Sequence, residues 1–164
     1  MKRFISIAFA AIITLTCCLS LASCTTTSTT APEMTDFVYI KEMGETVVGF
    51  LSDSAKSTSD KEFASKMFTA IGGNVDVTIA VREYSLSSGD ITEALAQKKV
   101  DCVVTVADSF EIGENVEKSN TYSIDGTDYV VLLRKGSDLT ERVNNYLANH
   151  ASEIESIYGQ TSDN

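Results

Sequence analysis

The sequence predicts an α/β domain built on a largely parallel sheet flanked by helices. Short apolar runs of strand length alternate with segments of helical period, the pattern that parallel sheets require. One of those runs, "VDCVVTVA", is almost continuously apolar, as expected of a strand covered on both faces. About 125 residues follow a Thr/Ser-rich stretch near the N-terminus, enough for one core and not comfortably for two.

Two strands are expected first, "FVYIKEM" and "TVVGFL", parted near Gly44. A polar loop, Ser52 to Asp60, leads to a helix whose Ser59 and Glu62 have the spacing of a capping box. Phe63, Met67 and Ile71 line one face of it, and Gly72-Gly73 ends it. "NVDVTIAV" alternates with strand period at Val75, Val77, Ile79 and Val81. Asp90 and Glu93 open a short helix carrying Ile91, Ala94 and Leu95, with Lys98-Lys99 suited to its C-terminal end. After "VDCVVTVA" and a loop comes "DYVVLLRK", a second buried strand. A single long helix is expected last, with Leu139, Val143, Tyr146, Leu147, His150, Ile154, Ile157 and Tyr158 on one side.

The first residues carry an address. Lys2 and Arg3 precede an apolar run, Phe4 to Leu15, that is too short for a permanent span of about 20 residues. The segment ends "LASC", Leu21 to Cys24, which resembles the lipobox of bacterial lipoproteins. There the Cys thiol receives a diacylglyceryl group and the signal is cut before it. An ordinary signal peptide with a chance Cys is the alternative. "TTTSTT", Thr25 to Thr30, suits a tether behind an anchored residue. The expected organisation is a signal at 1–23, lipidated Cys24 and tether at 24–36, one domain at 37–159 and a polar tail at 160–164. The chain is then extracytoplasmic, held to a membrane by covalent lipid at Cys24.

Cleavage removes Cys17 and Cys18, and a lipidated Cys24 cannot pair, so no disulfide framework remains. Cys102 is expected to be a buried small hydrophobe. The 13 Lys and Arg are outnumbered by 23 Asp and Glu, a net charge of −10, and losing Lys2 and Arg3 takes the mature chain to about −12. Such acidity opposes nucleic acid as a partner. No enzyme is expected: His150 is the only histidine and lies on an apolar stripe, no zinc-ligand spacing exists, and no G-x-S-x-G elbow occurs. No cofactor is implied beyond the lipid.

Several segments together resemble the family 3 extracellular solute-binding proteins, which serve amino-acid ABC importers. They are "VVGFLSD" before a helix, "DITEALAQKKVDCVVTV", "VEKSNTY" and "YVVLLRKGSDLTERVNNYL…IESIYG". Leu95, Gln97, Lys99, Val100 and Asp101 look like the family's "aLqsGkvDvvi" segment. Ser119 to Tyr122, "SNTY", look like its "SxPY" signature with Thr121 in place of Pro. The resemblance implies one lobe of a type II periplasmic-binding-protein-like fold. In the family the chain crosses to a second lobe soon after that signature and returns only after building it. Here six residues, Ser123 to Asp128, separate Tyr122 from Tyr129, too few for any domain, and Asp125-Gly126 among them is a tight-turn pair. The second lobe is therefore expected to be missing.

Carried over by the resemblance, Asp53 matches the family's Asp after the first strand, and Thr105 or Ser109 its ligand-binding hydroxyl. The expected aromatic loop reads Ala55-Lys56-Ser57, and the position of the carboxylate-binding Arg falls on Ile112. Asp53 and Asp108 each follow a strand end, where α/β sheets bind ligands, so a polar ligand or cation is one reading and simple loop capping the other. Phe110 is a large aromatic on such a loop, either a contact anchor or a lid on the core. The reading is a lipoprotein with weak or lost solute binding, its partners a membrane and an ABC permease or receptor, with weak self-association. The alternative is an interaction or sensor-modulating lipoprotein with no small ligand.

Overall fold

Thr35 caps the first element. Its Oγ1 accepts from the Val38 amide at 3.4 Å, Asp36 lies in the first turn and Lys41 in the last, and Gly44 closes the end at φ +65°. The result is helix α1, Asp36–Met43, where the sequence predicts a strand. The β-rich composition of Phe-Val-Tyr-Ile yields to the two caps and to burial of Phe37 and Ile40, a pair spaced for a helix face. In this computed structural model residues 35–111 and 113–159 are described; the readings on the signal, Cys24, the tether, Ile112 and the tail at 160–164 lie outside them.

The elements that follow are β1 (Glu45–Leu51), α2 (Ser57–Gly73), β2 (Ala80–Leu86), a 3-10 turn at Ser88–Asp90 running into α3 (Ile91–Ala96), and β3 (Cys102–Val106). Then come β4 (Val116–Lys118), β5 (Tyr122–Ile124), β6 (Thr127–Arg134), α4 (Leu139–Asn149) and α5 (Ala151–Gly159). The sheet runs β2-β1-β3-β6-β4, with β5 also on β6. β1 pairs in parallel with β2 and β3; β6 runs against β3, and β4 and β5 run against β6. All strands but β6 thus share one direction, giving the mostly parallel α/β sheet that the sequence predicts.

Alternate residues of the central strands feed two cores. Val104, Val131 and Leu133 face one with α1, α2, α4 and α5; Val103, Val130 and Leu132 face the other with Ile91 and Leu95 of α3. Each fully buried Leu or Phe contributes roughly 1.5–3 kcal/mol by leaving water. Gly49 of β1 allows the tightest approach: a Cβ there would stand 2.5 Å from Leu86 Cδ1 and 2.9 Å from Val103 Cγ2.

Three other expectations are corrected. The strand read over "NVDVTIAV" begins only at Ala80, because Asp76 turns the chain at φ +56° and the Val75 and Val77 amides both donate to the Gly72 carbonyl at 3.0 Å. The Ser59–Glu62 capping box does not cap: α2 starts earlier, at Ser57, and Ser59 is buried with its hydroxyl donating to the Ile157 carbonyl at 3.5 Å. The long terminal helix is two helices, broken at His150 (φ −124°). There the His150 ring stacks on Tyr146, with centroids 4.3 Å apart, and its Nδ1–H donates to the Tyr146 carbonyl at 3.0 Å.

At the sheet's far edge, β4 and β5 form one strand interrupted at the "SNTY" residues. Ser119 donates its amide to the Val131 carbonyl, and its Oγ accepts from the Val131 amide, both at 2.9 Å. The side chain thereby replaces a ladder carbonyl, and the strand kinks. Tyr122 then pairs directly with Tyr129, and Asp125 (φ +50°) and Gly126 (φ +77°) close a two-residue hairpin of type I′ character.

Candidate functional site

Three loops meet where β1 and β3 end. Past Leu51 the chain turns through Asp53, Ser54 and Lys56 into α2. Past Val106 it turns through Asp108 and Ser109, the Ser109 amide donating to the Val106 carbonyl at 3.2 Å. β6 enters the sheet beside them at Tyr129, level with Val106. Between these ends lies a groove of about 250 Å³, with Asp53, Lys56, Asp60, Thr105, Ser109 and Tyr129 among its lining residues. It is slightly smaller than the usual small-molecule site of about 300–1,000 Å³.

The structure brings three of the candidate residues, Asp53, Thr105 and Ser109, to this groove. The Thr105 and Ser109 hydroxyls are 2.9 Å apart, and Ser109 also donates to the Val106 carbonyl at 2.7 Å, so Thr105 donates to Ser109. Both hydroxyls keep lone pairs for a donor on a ligand. Asp108 is exposed on the turn and is not among the lining residues. Phe110 is half-buried and packs against the α3-side core.

Lys56, Asp60 and Tyr129 are among the lining residues that the sequence reading did not put forward as candidates. Asp60 is 3% exposed, its carboxylate accepting from Ser54 Oγ at 2.7 Å and from Tyr158 Oη at 2.8 Å. Tyr158 in turn lies 3.4 Å from the Tyr122 hydroxyl. Burial pushes the Asp60 carboxyl above its ordinary range, opposed by the Ser54 and Tyr158 hydrogen bonds and by the Lys56 charge. Burial likewise raises the Tyr158 and Tyr122 hydroxyls, so both remain protonated donors. A signal for Asp60 did exist. The apolar stripe Phe63, Met67, Ile71, extended back one turn, lands on Ser59 and Asp60, marking a polar residue on the buried face.

Beneath the groove the rings form a continuous stack. Tyr122 lies over Tyr129 with centroids 5.5 Å apart and over Phe63 at 4.9 Å; Tyr158 meets Tyr129 at 5.1 Å. Of these rings Tyr129 lines the groove and forms its floor. The groove's polar lining consists of acidic and hydroxyl groups, with Lys56 the one cation among the lining residues. Elsewhere, Cys102 is wholly buried and burial raises its thiol. Among the described residues no group of three or more His, Cys, Asp or Glu is placed to hold a metal ion. No helix among them is long and apolar enough to cross a membrane.

No family model matches the chain, and no curated protein matches its sequence. Among solved structures, the chain is similar to the arginine-bound form of domain 1 from TmArgBP. The two are 21% identical with a TM-score of 0.49, over 67% of this chain and 96% of that one.

Proposed function

We propose that the chain is a membrane-anchored lipoprotein whose domain is a single lobe of the amino-acid-binding kind, without its second lobe, and with solute binding weak or lost. The observation that carries this reading is the Tyr122–Tyr129 pairing. At the point where the resemblance implies a crossing to a second lobe, the chain turns back within Asp125-Gly126. The groove then has one wall.

Magnitudes follow from that wall. A micromolar site needs about 8 kcal/mol. Half of the contacts leaves roughly 4 kcal/mol, which is millimolar binding on the same scale. A lysine offers a carboxylate a point charge rather than the two-pronged fork of a guanidinium. Charge-assisted bonds are worth about 1.5–3 kcal/mol each, so that loss weakens the site further.

Calorimetry on Thr25–Asn164 with common L-amino acids, arginine included, at ~0.1 mM should show no binding, as the millimolar estimate requires. A micromolar dissociation constant for any of them would overturn the half-site reading. A second reading, contact with a permease, a receptor or another protein through the same edge, is favoured by Phe110, whose ring remains partly exposed beside the β3 turn.

A further inference from the structure

Four large apolar side chains stand exposed among the described residues, and three of them share one eight-residue helix. They are Val38 at 40%, Tyr39 at 53% and Met43 at 61%, all on α1. At 100° per residue they flank Glu42 on the arc opposite buried Phe37 and Ile40. A surface helix ordinarily turns a polar face outward. α1 carries apolar side chains on both sides, one set toward the core and the other, around Glu42, toward solvent.

The helix is firmly placed. Arg134 pairs with Asp36 at 2.7 Å while donating to the Leu95 and Val100 carbonyls, Ser137 Oγ donates to Asp36 at 2.7 Å, and the Phe37 amide donates to Asp138 at 3.0 Å. The Arg142 guanidinium sits 3.6 Å above the Phe37 ring. The outward face is therefore a fixed platform.

What meets it follows from the chain ahead of it. Asp36 lies twelve positions after Cys24, and a chain of that length reaches at most about 40 Å. A lipid on Cys24 would hold α1 within that distance of the bilayer. The acidic domain opposes anionic headgroups, whereas a Tyr between two aliphatic side chains suits the boundary of an electrically neutral one. We propose that α1 is a membrane-contact helix, its Val38–Tyr39–Met43 face resting in the headgroup region of the bilayer that carries the Cys24 lipid. β1 starts directly after α1 and ends at the groove seven residues later, about 20 Å further on. Docking through α1 presents the groove away from the membrane, toward whatever solute or protein arrives. This proposal rests on the lipid-anchor reading for its membrane, and the test separates the two.

Thr25–Asn164, with hexahistidine ahead of Thr25, is tethered to phosphatidylcholine vesicles containing a little nickel-chelating lipid, which replaces the native anchor. A polarity-sensitive dye is attached through Met43→Cys or, at the groove end, through Ser52→Cys; buried Cys102 stays unlabelled. Tethering should shift the emission of the dye at position 43 to the blue and leave that at position 52 unchanged. Adding Val38→Ser and Tyr39→Ser should abolish the shift with the melting temperature unaltered. Equal spectra at the two positions, or a shift that survives the serines, would overturn the proposal and leave the face to a protein partner. Separately, mass spectrometry finding an unmodified Cys24 at the mature N-terminus would remove the anchor reading without touching the tethered result.

Discussion

The fold alters the energetics of Asp60. Its carboxyl is buried among Ser54, Tyr158 and the groove floor, and burial raises its pKa despite two hydrogen bonds. A carboxyl that holds its proton more tightly folded than unfolded contributes stability at acid pH that is lost as pH rises through its folded value. Asp36 runs the other way. Burial alone would raise it, but hydrogen bonds from Arg134 and Ser137 and the nearby positive charges outweigh burial and lower it. Its contribution is present above the unfolded value and lost as pH falls, so the two windows adjoin at the unfolded value, that of Asp36 below it and that of Asp60 above. Asp60→Asn isolates one of them: the amide oxygen still accepts from Tyr158 and the amide nitrogen can donate to Ser54. Relative to wild type, the variant should gain stability on going from pH 4 to pH 7, read by urea denaturation at both. A difference that stays constant would show that the carboxyl is unperturbed, and a relative loss on raising the pH would show that it is lowered.

At the scale of elements, the β5–β6 hairpin is the feature on which the functional reading turns. Gly126 occupies the left-handed region, and a Cβ built there meets nothing within 4 Å. Gly126→Ala should therefore cost only the backbone penalty, about 1–2 kcal/mol, measured by chemical denaturation. No loss would mean that the turn is not the tight hairpin described. α1 shows how an element can be misread. "FVYI" has strand composition, yet Thr35 and Gly44 supply both caps, and the burial of Phe37 with Ile40 selects the helix. The same conflict splits the last helix at His150, whose ring turns back onto Tyr146.

For the whole molecule, the acidic surface and the groove edge act against each other. Copies carrying the chain's net charge of −10 repel, and that repulsion falls as salt screens it. Association through the Phe110 side of the groove is accordingly proposed to be weak and salt-promoted. Light scattering from micromolar to near-millimolar protein should show the mass of the wild type rising, more so at high salt, and Phe110→Ser should remain monomeric. A monomer throughout would remove self-association. Lower thermal stability in Phe110→Ser without a change in association would assign the ring to the α3-side core, against which it packs.

Local chemistry made much of this protein legible from its sequence alone. β1, β3 and β6 follow from apolar runs of strand length, α2 from Phe63, Met67 and Ile71, and the hairpin from Asp125-Gly126, because each rests on residues adjacent in the chain. The resemblance points to Asp53, Thr105 and Ser109 near strand ends, and strand ends in a parallel sheet converge on one edge, where all three line the groove. The tertiary structure decided what depends on distant partners. β2 starts only where the Ala80 amide finds the Gly44 carbonyl, at 2.8 Å. β4 and β5 exist because β6 offers them an edge, and Ser119 bridges the gap between them. The Asp60–Tyr158 bond spans 98 residues, and Arg134 reaches as far back to hold α1. Periodicity can mark the buried face on which such a residue lies, as it does for Asp60, but not its partner, which is chosen by three-dimensional proximity and by the need to satisfy buried polar groups.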